Sequence, residues 1–500
     1  MNKPIRILAV GCMVLFVALL GRATYVQYFH AGELTSLSAH PNNVRVRDAQ
    51  YSRERGAIVV QGPDKRRAIA VSRKSHDQYK YLREYPEGRE FAHITGYFSR
   101  DYGLMGIESS QNDVLSGNDS SLFLNRVIDL VDHQNPKGGS VTLTLNAAAQ
   151  KAAFDGLKKL NQHVQGAVVA LEPSTGRVLA MVSTPSYDPN RLASHHFDKV
   201  GKIKQHLLER DPSPLDNIAI ETLVPPGSTF KIITTAAALA SGKFTPKSQV
   251  PGASSMKLPL SSHILHNENN IPCGSGTVTL TVALERSCNV AFGTVGEKLG
   301  ADRLKSMAHK FGFGETYFHD LDDSLTRQAQ SRFPDNADAP QTVLAAIGQG
   351  DVAATPLQMA MVAAGIANHG TVMKPYLVDE TLSPDLDVLS KTKPEALDGQ
   401  PAVSPEVARE VTRMMVAVVD NGTGTPAQIP GIAVAGKTGT AQSAASRPPY
   451  AWFVSFAPAQ NPQVAVAVLI QDAGVARDAI SGSGLAAPTA KAVMEAVLNR

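Results

Sequence analysis

An uncharged apolar run near the N-terminus places the strongest constraint on what this chain can fold into. Residues 7–21 carry no charged side chain, and the stretch from Ile5 to Tyr28 supplies roughly the twenty residues that a membrane-spanning helix needs. Within a bilayer, a helix satisfies all of its own backbone polar groups. We therefore predict one transmembrane helix over residues 5–28, preceded by a short tail of residues 1–4.

The flanking charges predict how this helix is oriented. Lys3, Arg6 and the terminal amine precede most of the apolar run, so the positive-inside rule places the short tail in the cytoplasm. A cleaved signal peptide has a similar pattern, but the small-x-small triplet at residues 21–23, Gly-Arg-Ala, is a poor cleavage site. We predict an uncleaved, single-pass anchor in the cell membrane, with the bulk of the chain on the extracytoplasmic side.

Composition argues against several classes of function. The formal net charge is only +3 over 500 residues, and no block of lysines and arginines is present, so no nucleic-acid partner is predicted. Cys273 and Cys288 could pair outside the reducing cytosol, but we expect two small buried side chains instead. His263 and His266, with Cys273 nearby, are spaced too loosely for zinc ligands. Neither a metal nor another cofactor is predicted.

Hydrophobic patterning divides the remaining chain into two parts. Residues 29–150 are polar and broken by turns, with charge-rich segments that alternate as β-strands do, and we expect them to form a separate N-terminal domain. Residues 151–500 have strands near both ends and a largely helical middle, which predicts an α/β (α+β) fold with an antiparallel sheet covered by helices. Specific expectations are a hairpin in 166–184, three strands in 433–474 and a loop-like insertion at 383–401.

A serine that follows a sharp turn raises a chemical question. Residues 225–227, Pro-Pro-Gly, force an abrupt helix start, so Ser228 is expected at a helix N-terminus, where the dipole favours negative charge. Lys231 follows one turn later on the same face. A lysine in a dry cleft beside other cations can lose its proton near neutral pH and act as a base. A plain helix cap would explain Ser228 but leave Lys231 unexplained.

Two further motifs favour a nucleophile. Residues 287–289 read Ser-Cys-Asn, and residues 437–440 read Lys-Thr-Gly-Thr at the start of the three C-terminal strands. Each motif alone is common, but the ordered set of Ser-x-x-Lys, Ser-x-Asn and Lys-Thr-Gly is the signature of penicillin-binding proteins and class A β-lactamases. The set therefore predicts an enzyme that forms an ester on Ser228.

Residue types suggest a role for each catalytic candidate. Ser228 is the predicted nucleophile, and Lys231 is the predicted general base. Ser287 is expected to relay a proton and Asn289 to position a substrate amide. Lys437 is expected to act electrostatically or as a second proton relay.

The remaining members of the third motif are predicted to bind substrate. Thr438, Gly439 and Thr440 are expected to hold a terminal carboxylate with Lys437, the glycine leaving room for substrate at the strand edge. Backbone N–H groups of Ser228 and Thr440 are expected to form an oxyanion hole.

The chain resembles the class B penicillin-binding proteins, the monofunctional transpeptidases of bacterial wall synthesis. The resemblance covers nearly the whole chain and is carried by the anchor and by segments such as 53–58 (RERGAI), 224–231 (VPPGSTFK), 346–360 (AIGQGDVAATPLQMA) and 435–442 (AGKTGTAQ). It is similar to the shorter type that lacks appended C-terminal domains. Glu108, in another matching segment, could join the pedestal to its neighbour or be a surface carboxylate.

The resemblance implies a reaction and partners. The expected fold is a penicillin-binding transpeptidase domain over residues 151–500 on an N-terminal pedestal that resembles a dimerisation domain, over residues 29–150. The expected reaction is acylation of the serine by the penultimate D-alanine of a stem peptide, release of D-alanine, and transfer to the amine of a neighbouring stem; β-lactams acylate the same serine. Expected partners are peptidoglycan stem peptides, the cytoplasmic membrane and a SEDS-type glycosyltransferase with other wall-synthesis proteins.

Other functions stay open at this point. A β-lactam-hydrolysing enzyme or a β-lactam sensor would share the first and third motifs, although Ser-x-Asn and the pedestal argue against both. Class A β-lactamases hydrolyse their ester with a glutamate, and we find no persuasive Glu-x-x-x-Asn pattern between Asn289 and Lys437. An inactive wall-synthesis scaffold is disfavoured because all three motifs are intact.

Overall fold

The chain begins with one long apolar helix. The computed structural model describes residues 3–29, 48, 51–62, 66–122, 137–323, 326–443 and 447–499. In that part of the chain, Lys3–Phe29 is the one helix long and apolar enough to cross a membrane. None of its side chains is buried against the rest of the protein, so an apolar environment would have to cover them. The helix is therefore a candidate single-pass membrane anchor.

Parts of three predicted segments lie outside the described residues. These are Met1 and Asn2 of the predicted tail, residues 30–47, 49–50, 63–65 and 123–136 of the predicted pedestal, and residues 324–325, 444–446 and 500 of the predicted domain 151–500.

The α-helices are numbered in chain order. They are α1 Lys3–Phe29, α2 Gly88–Thr95, α3 Ile107–Ser110, α4 Asn112–Leu115, α5 Ala147–Leu160, α6 Asn190–Ala193, α7 Phe197–Leu208, α8 Ile218–Glu221, α9 Lys231–Ala240, α10 Leu280–Glu285, α11 Asn289–Leu299, α12 Ala301–Lys310, α13 Ala339–Ala345, α14 Pro356–Ala367, α15 Pro405–Asp420 and α16 Ala487–Val497.

The strands are numbered in the same way. They are β1 Ile58–Gln61, β2 Arg66–Lys74, β3 Tyr81–Glu84, β4 Phe98–Ser99, β5 Gly103–Leu104, β6 Ser140–Asn146, β7 Gln165–Leu171, β8 Val178–Thr184, β9 Gln249–Pro251, β10 Ser255–Lys257, β11 Ile264–His266, β12 Thr277–Thr279, β13 Val378–Leu382, β14 Val388–Lys391, β15 Ala435–Ala441, β16 Tyr450–Ala457 and β17 Val464–Asp472.

A five-stranded antiparallel sheet forms the centre of the larger domain. Its strand order is β15-β16-β17-β7-β8, and β7 and β8 form the hairpin predicted for residues 166–184. Alternate residues of each strand point to opposite faces, so one face packs on α5 and α16 while the other packs on α14, whose residues are all buried. The predicted antiparallel sheet covered by helices is confirmed. Strand β15 lies at its edge.

A second, six-stranded sheet joins the N-terminal region to the middle of the chain. Its order is β14-β13-β6-β1-β2-β3, with β1 and β6 parallel. Strand β14 lies inside residues 383–401, which we predicted to be a loop, and pairs with β13. The loop prediction was therefore wrong for Val388–Lys391. The strand escaped detection because it is short and mostly exposed, which leaves no apolar alternation to read.

A buried carboxylate holds the N-terminal region together. The Glu108 side chain is fully buried and accepts hydrogen bonds from Arg55 Nε at 2.9 Å, Arg83 Nε at 2.6 Å and the Tyr85 hydroxyl at 3.2 Å. Burial by itself would raise the pKa of Glu108, but the charges of Arg83 and Arg55 outweigh it and hold the pKa below its ordinary value. Both alternatives for Glu108 were wrong, since its partners lie within its own region and it is not at the surface.

We expect the Glu108→Gln variant to lower the free energy of unfolding by about 3–5 kcal/mol, because two buried guanidinium groups lose their counter-charge. The carboxyl pKa is depressed in the folded state. The stabilisation is therefore complete above the unfolded-state pKa of about 4.3 and is lost as the pH falls through the folded-state value. Denaturant unfolding of the full chain in detergent measures the change.

The matched control is Glu297→Gln, an exposed glutamate on α11, which should change stability by less than about 0.5 kcal/mol. Equal unfolding midpoints for the two variants would show that the buried cluster is not needed.

Candidate active site

The Pro-Pro-Gly turn places Ser228 at the mouth of a cleft. A 3₁₀ turn, Gly227–Phe230, leads directly into α9. Gly227 adopts a left-handed φ of +53°, which suits glycine, and its N–H donates to the Gly348 carbonyl at 2.9 Å. The Trp452 indole N–H on β16 donates to the Pro225 carbonyl at 3.0 Å. Contacts from two separate segments therefore fix the turn, and Ser228 itself stays partly exposed.

Lys231 lies fully buried and connects the first motif to the second. Its Nζ atom donates to the Ser287 carbonyl at 2.7 Å and to Asn289 Oδ1 at 2.8 Å, with a longer contact of 3.4 Å to Ser287 Oγ. Among the residues that the structure describes, its hydrogen bonds go to these two residues and not to Ser228. Burial, followed by the nearby charge of Lys437, lowers the pKa of Lys231 well below its ordinary value.

Lys437, on the central sheet, contacts the hydroxyl group of Ser287. It is fully buried on β15, and its Nζ atom donates to Ser287 Oγ at 2.8 Å and to the Thr438 carbonyl at 2.9 Å. Burial lowers the pKa of Lys437 to about 7. The amines of Lys231 and Lys437 are both buried and both contact the Ser287 hydroxyl group. The pair therefore holds fewer protons near neutral pH than two exposed lysines would.

Ser287 adopts a backbone conformation that is rare for a residue with a side chain. Its φ of +59° is left-handed, and it lies in the short turn between α10 and α11. Such strain persists only where the surroundings impose it, and it is frequent at functional sites. In this conformation both the carbonyl and the hydroxyl of Ser287 reach the Lys231 amine.

A disulfide bond anchors the residue between Ser287 and Asn289. Cys288 is bonded to Cys273, so our expectation of two unpaired cysteines was wrong, although both side chains are buried. The loop that carries Cys273 folds back onto the motif, where the Asn289 amide donates to the His266 carbonyl at 2.9 Å. A sequence separation of 15 residues could not reveal this, because pairing depends on where the two Cβ atoms lie.

The third motif occupies β15, the edge strand of the central sheet. Thr438 and Thr440 on β15 line the cleft, and the Thr438 hydroxyl lies 2.5 Å from that of Thr423. A Cβ atom at Gly439 would lie 3.0 Å from Thr229 Cγ2 and 3.2 Å from the Pro226 carbonyl oxygen. The missing side chain of Gly439 thus lets the turn that carries Ser228 pack against the strand, and its expected role in leaving room for substrate stays a prediction.

A cleft of about 800 Å³ brings the three motifs together. Ser228, Ser287, Asn289, Thr438 and Thr440 line it, while the fully buried Lys231 and Lys437 are not among the lining residues. Its other walls are residues 258–269, which include β11, and residues 338–350 around α13.

Sequence reasoning missed two residues of this site. Thr423, which contacts Thr438, lies in residues 421–427 (NGTGTPA), a further segment that resembles the class B penicillin-binding proteins, and could have been found from it. Glu268 lines the cleft but lies in no recognised motif.

A partly exposed serine one helical turn before a buried lysine with a lowered pKa is an arrangement typical of serine acyltransferases, which form an ester with part of their substrate. Comparison with protein families gives the same result. Residues 166–495 match the penicillin binding protein transpeptidase domain, and residues 55–141 match the penicillin binding protein A dimerisation domain. The chain belongs to the penicillin-binding protein transpeptidase family, as the sequence resemblance predicted.

Similar proteins come from mycobacteria. The chain is 43% identical to peptidoglycan D,D-transpeptidase PbpA of Mycolicibacterium smegmatis, over 100% of this chain and 99% of that protein. It is 42% identical to the Mycobacterium tuberculosis protein of the same name, again over 100% and 99%. The penicillin G acyl-enzyme complex of M. tuberculosis penicillin-binding protein A has a TM-score of 0.82 and 41% identity, covering 89% of this chain and 100% of that one.

Proposed function

We propose that this chain is a peptidoglycan D,D-transpeptidase that works through an ester on Ser228. The observation that carries the proposal is the meeting of two buried lysine amines at the Ser287 hydroxyl, in the wall of the cleft that Ser228 lines. A plain binding domain has no need for two buried lysine amines, which are costly to bury.

The first step forms the ester. Ser228 Oγ attacks the carbonyl carbon of the penultimate D-alanine, and its proton passes to the neutral amine of Lys231, directly or through Ser287. The carbon–nitrogen bond then breaks. The departing D-alanine nitrogen takes a proton that Ser287 hands on from the lysine pair, so the amines regain their starting state.

The edge of β15 supports binding of an extended substrate. A peptide can pair with a free strand edge as an additional strand, which would place its C-terminal carboxylate near Lys437 and the Thr438 and Thr440 hydroxyl groups. The backbone N–H groups of Ser228 and Thr440 are our candidates for the oxyanion hole. Asn289 is assigned to the substrate amide.

The second step transfers the acyl group to the amine of a neighbouring stem peptide. β-Lactams would acylate Ser228 in the same way and block the cleft. Helix α1 would hold the chain in the cell membrane with residues 1–4 in the cytoplasm, and a SEDS-type glycosyltransferase is the proposed partner. These last assignments rest on the charge pattern and on the family resemblance.

We expect penicillin to leave an adduct on Ser228 that persists for many minutes to hours. Without a base that positions water, hydrolysis of the ester lacks about 10²–10⁴-fold of acceleration. Mass spectrometry of the intact protein, after excess penicillin is removed, follows the adduct, and Ser228→Ala should show none. Return of the unmodified mass within seconds, with steady penicillin turnover, would identify a β-lactamase.

The second-order rate constant for acylation by penicillin should have a bell-shaped pH profile. Acid protonates Lys231 and removes the base, whereas alkali removes the charge from Lys437, whose pKa is about 7, and weakens carboxylate binding. Lys231→Ala should slow acylation by about 10²–10⁴-fold, and the exposed Lys298→Ala serves as the control. A rate that rises steadily through the alkaline range would contradict the role given to Lys437.

A further inference from the structure

One carboxylate in the cleft has no part in the mechanism above. Glu268 opens the 3₁₀ turn Glu268–Asn270, which follows β11, and its exposed side chain lines the same cleft as Ser228. The preceding residue, Asn267, is buried and donates to the carbonyls of Ala253 and Ile271. The hydrogen bonds of Asn267 therefore fix the backbone next to Glu268.

This turn is tied to the helix that carries the second motif. Asn267 Oδ1 accepts a hydrogen bond from the Val290 N–H at 3.0 Å, and the Asn289 amide donates to the His266 carbonyl at 2.9 Å. Both partners lie in the first turn of α11. The backbone that carries Glu268 is therefore tied to the first turn of α11.

The charges around the cleft distinguish Glu268 from its neighbours. The negative charge of Glu268 raises the pKa values of the buried Lys231 and Lys437. This effect is smaller than that of burial, which lowers both pKa values. Asp338 also lines the cleft, but its carboxylate caps α13 by accepting from the Gln341 N–H at 2.8 Å. His263 and His266 are the other titratable side chains on the wall that carries Glu268. Among the described residues, Glu268 forms no ion pair.

The second substrate poses an electrostatic problem. An alkyl amine with a pKa of about 10.4 is almost entirely an ammonium ion at neutral pH. Such a cation is repelled by any charge on Lys231 and Lys437, whereas the competing nucleophile, water, is not. A carboxylate beside the ester would draw the ammonium ion in and leave water unaffected.

We propose that Glu268 is a specificity-determining residue that recruits the ammonium group of the acceptor stem peptide to the acyl-enzyme. This inference rests on the proposed transpeptidase function. The ammonium releases one proton to solvent, and the neutral amine then attacks. The carbon–nitrogen bond forms as the ester bond to Ser228 breaks, and the second amine proton passes to the Ser228 oxygen. Glu268 thereby favours aminolysis over hydrolysis.

The test measures how the acyl-enzyme partitions. The full chain in detergent is acylated with a D-alanyl thioester analogue of the donor, and the ratio of aminolysis to hydrolysis is measured with two acceptors. Nα-acetyl-lysinamide is an ammonium ion at neutral pH, and hydroxylamine is mostly uncharged. The direct reaction of each acceptor with the thioester is measured with the Ser228→Ala variant and subtracted. Because the remaining products come from one acyl-enzyme, the ratio is independent of each variant's acylation rate.

Glu268→Gln should lower the ratio about fivefold for the lysine acceptor, the effect expected of one exposed charge pair, and leave the hydroxylamine ratio unchanged. Added salt should shrink the difference. Glu268→Asp should restore much of the ratio, and the matched control Glu297→Gln, exposed on α11 and outside the cleft lining, should behave as the unmodified chain.

Each of three results would overturn the role of Glu268 and leave the proposed transpeptidase function standing. These are an unchanged ratio in Glu268→Gln, an equal change for both acceptors, and a loss of hydrolysis, which would make Glu268 a base acting on water. If the unmodified chain forms no acyl-enzyme with the thioester, the proposed function fails and this inference fails with it.

Discussion

The site depends on two lysine amines that are buried around one serine hydroxyl. Water would keep both amines charged, and charged amines could not serve as bases near neutral pH. Burial of Lys231 and Lys437 lowers both pKa values, and their shared contact with Ser287 couples them. The rest of the domain has to keep these groups dry and in contact, because each is costly to bury without the others.

The surrounding structure meets this requirement from three directions. The sheet supplies Lys437 on β15 and holds the turn of Ser228 through the indole of Trp452. Helix α9 supplies Lys231. The Cys273–Cys288 bond and the strained backbone of Ser287 hold the second motif in place. No single element is sufficient, so the site exists only when all of them are packed.

The N-terminal region is built on a separate but similar principle. Glu108, Arg55 and Arg83 form a buried ionic cluster that is stable because each charge has a partner. The six-stranded sheet then joins this region to the transpeptidase domain through β6, β13 and β14. Burial acts on the pKa values in both places, but only at Lys231 and Lys437 does it decide their direction, since at Glu108 the charges of Arg83 and Arg55 outweigh it.

Much of the architecture was determined by the sequence alone. The uncharged run predicted α1, apolar strand patterns predicted the hairpin and the three C-terminal strands, and the ordered motifs predicted which residues meet at the cleft. The helix and strand predictions succeeded because local periodicity and turn residues act over short distances along the chain. The prediction of the cleft residues succeeded because the ordered motifs form a known signature. The family resemblance followed from the same motifs and was confirmed by the comparisons.

Other features were decided only by the tertiary structure. The disulfide, the ionic partners of Glu108, the place of β14 in a sheet and the packing role of Gly439 all depend on segments that are distant in sequence. Glu268 lies before the second motif, and no nearby residue marks it as part of the cleft. Charge, pairing and burial at such positions are set by long-range packing, and sequence spacing carries no information about it. The sequence therefore determined which reactive groups are present, and the fold decided how those groups are charged and which of them touch.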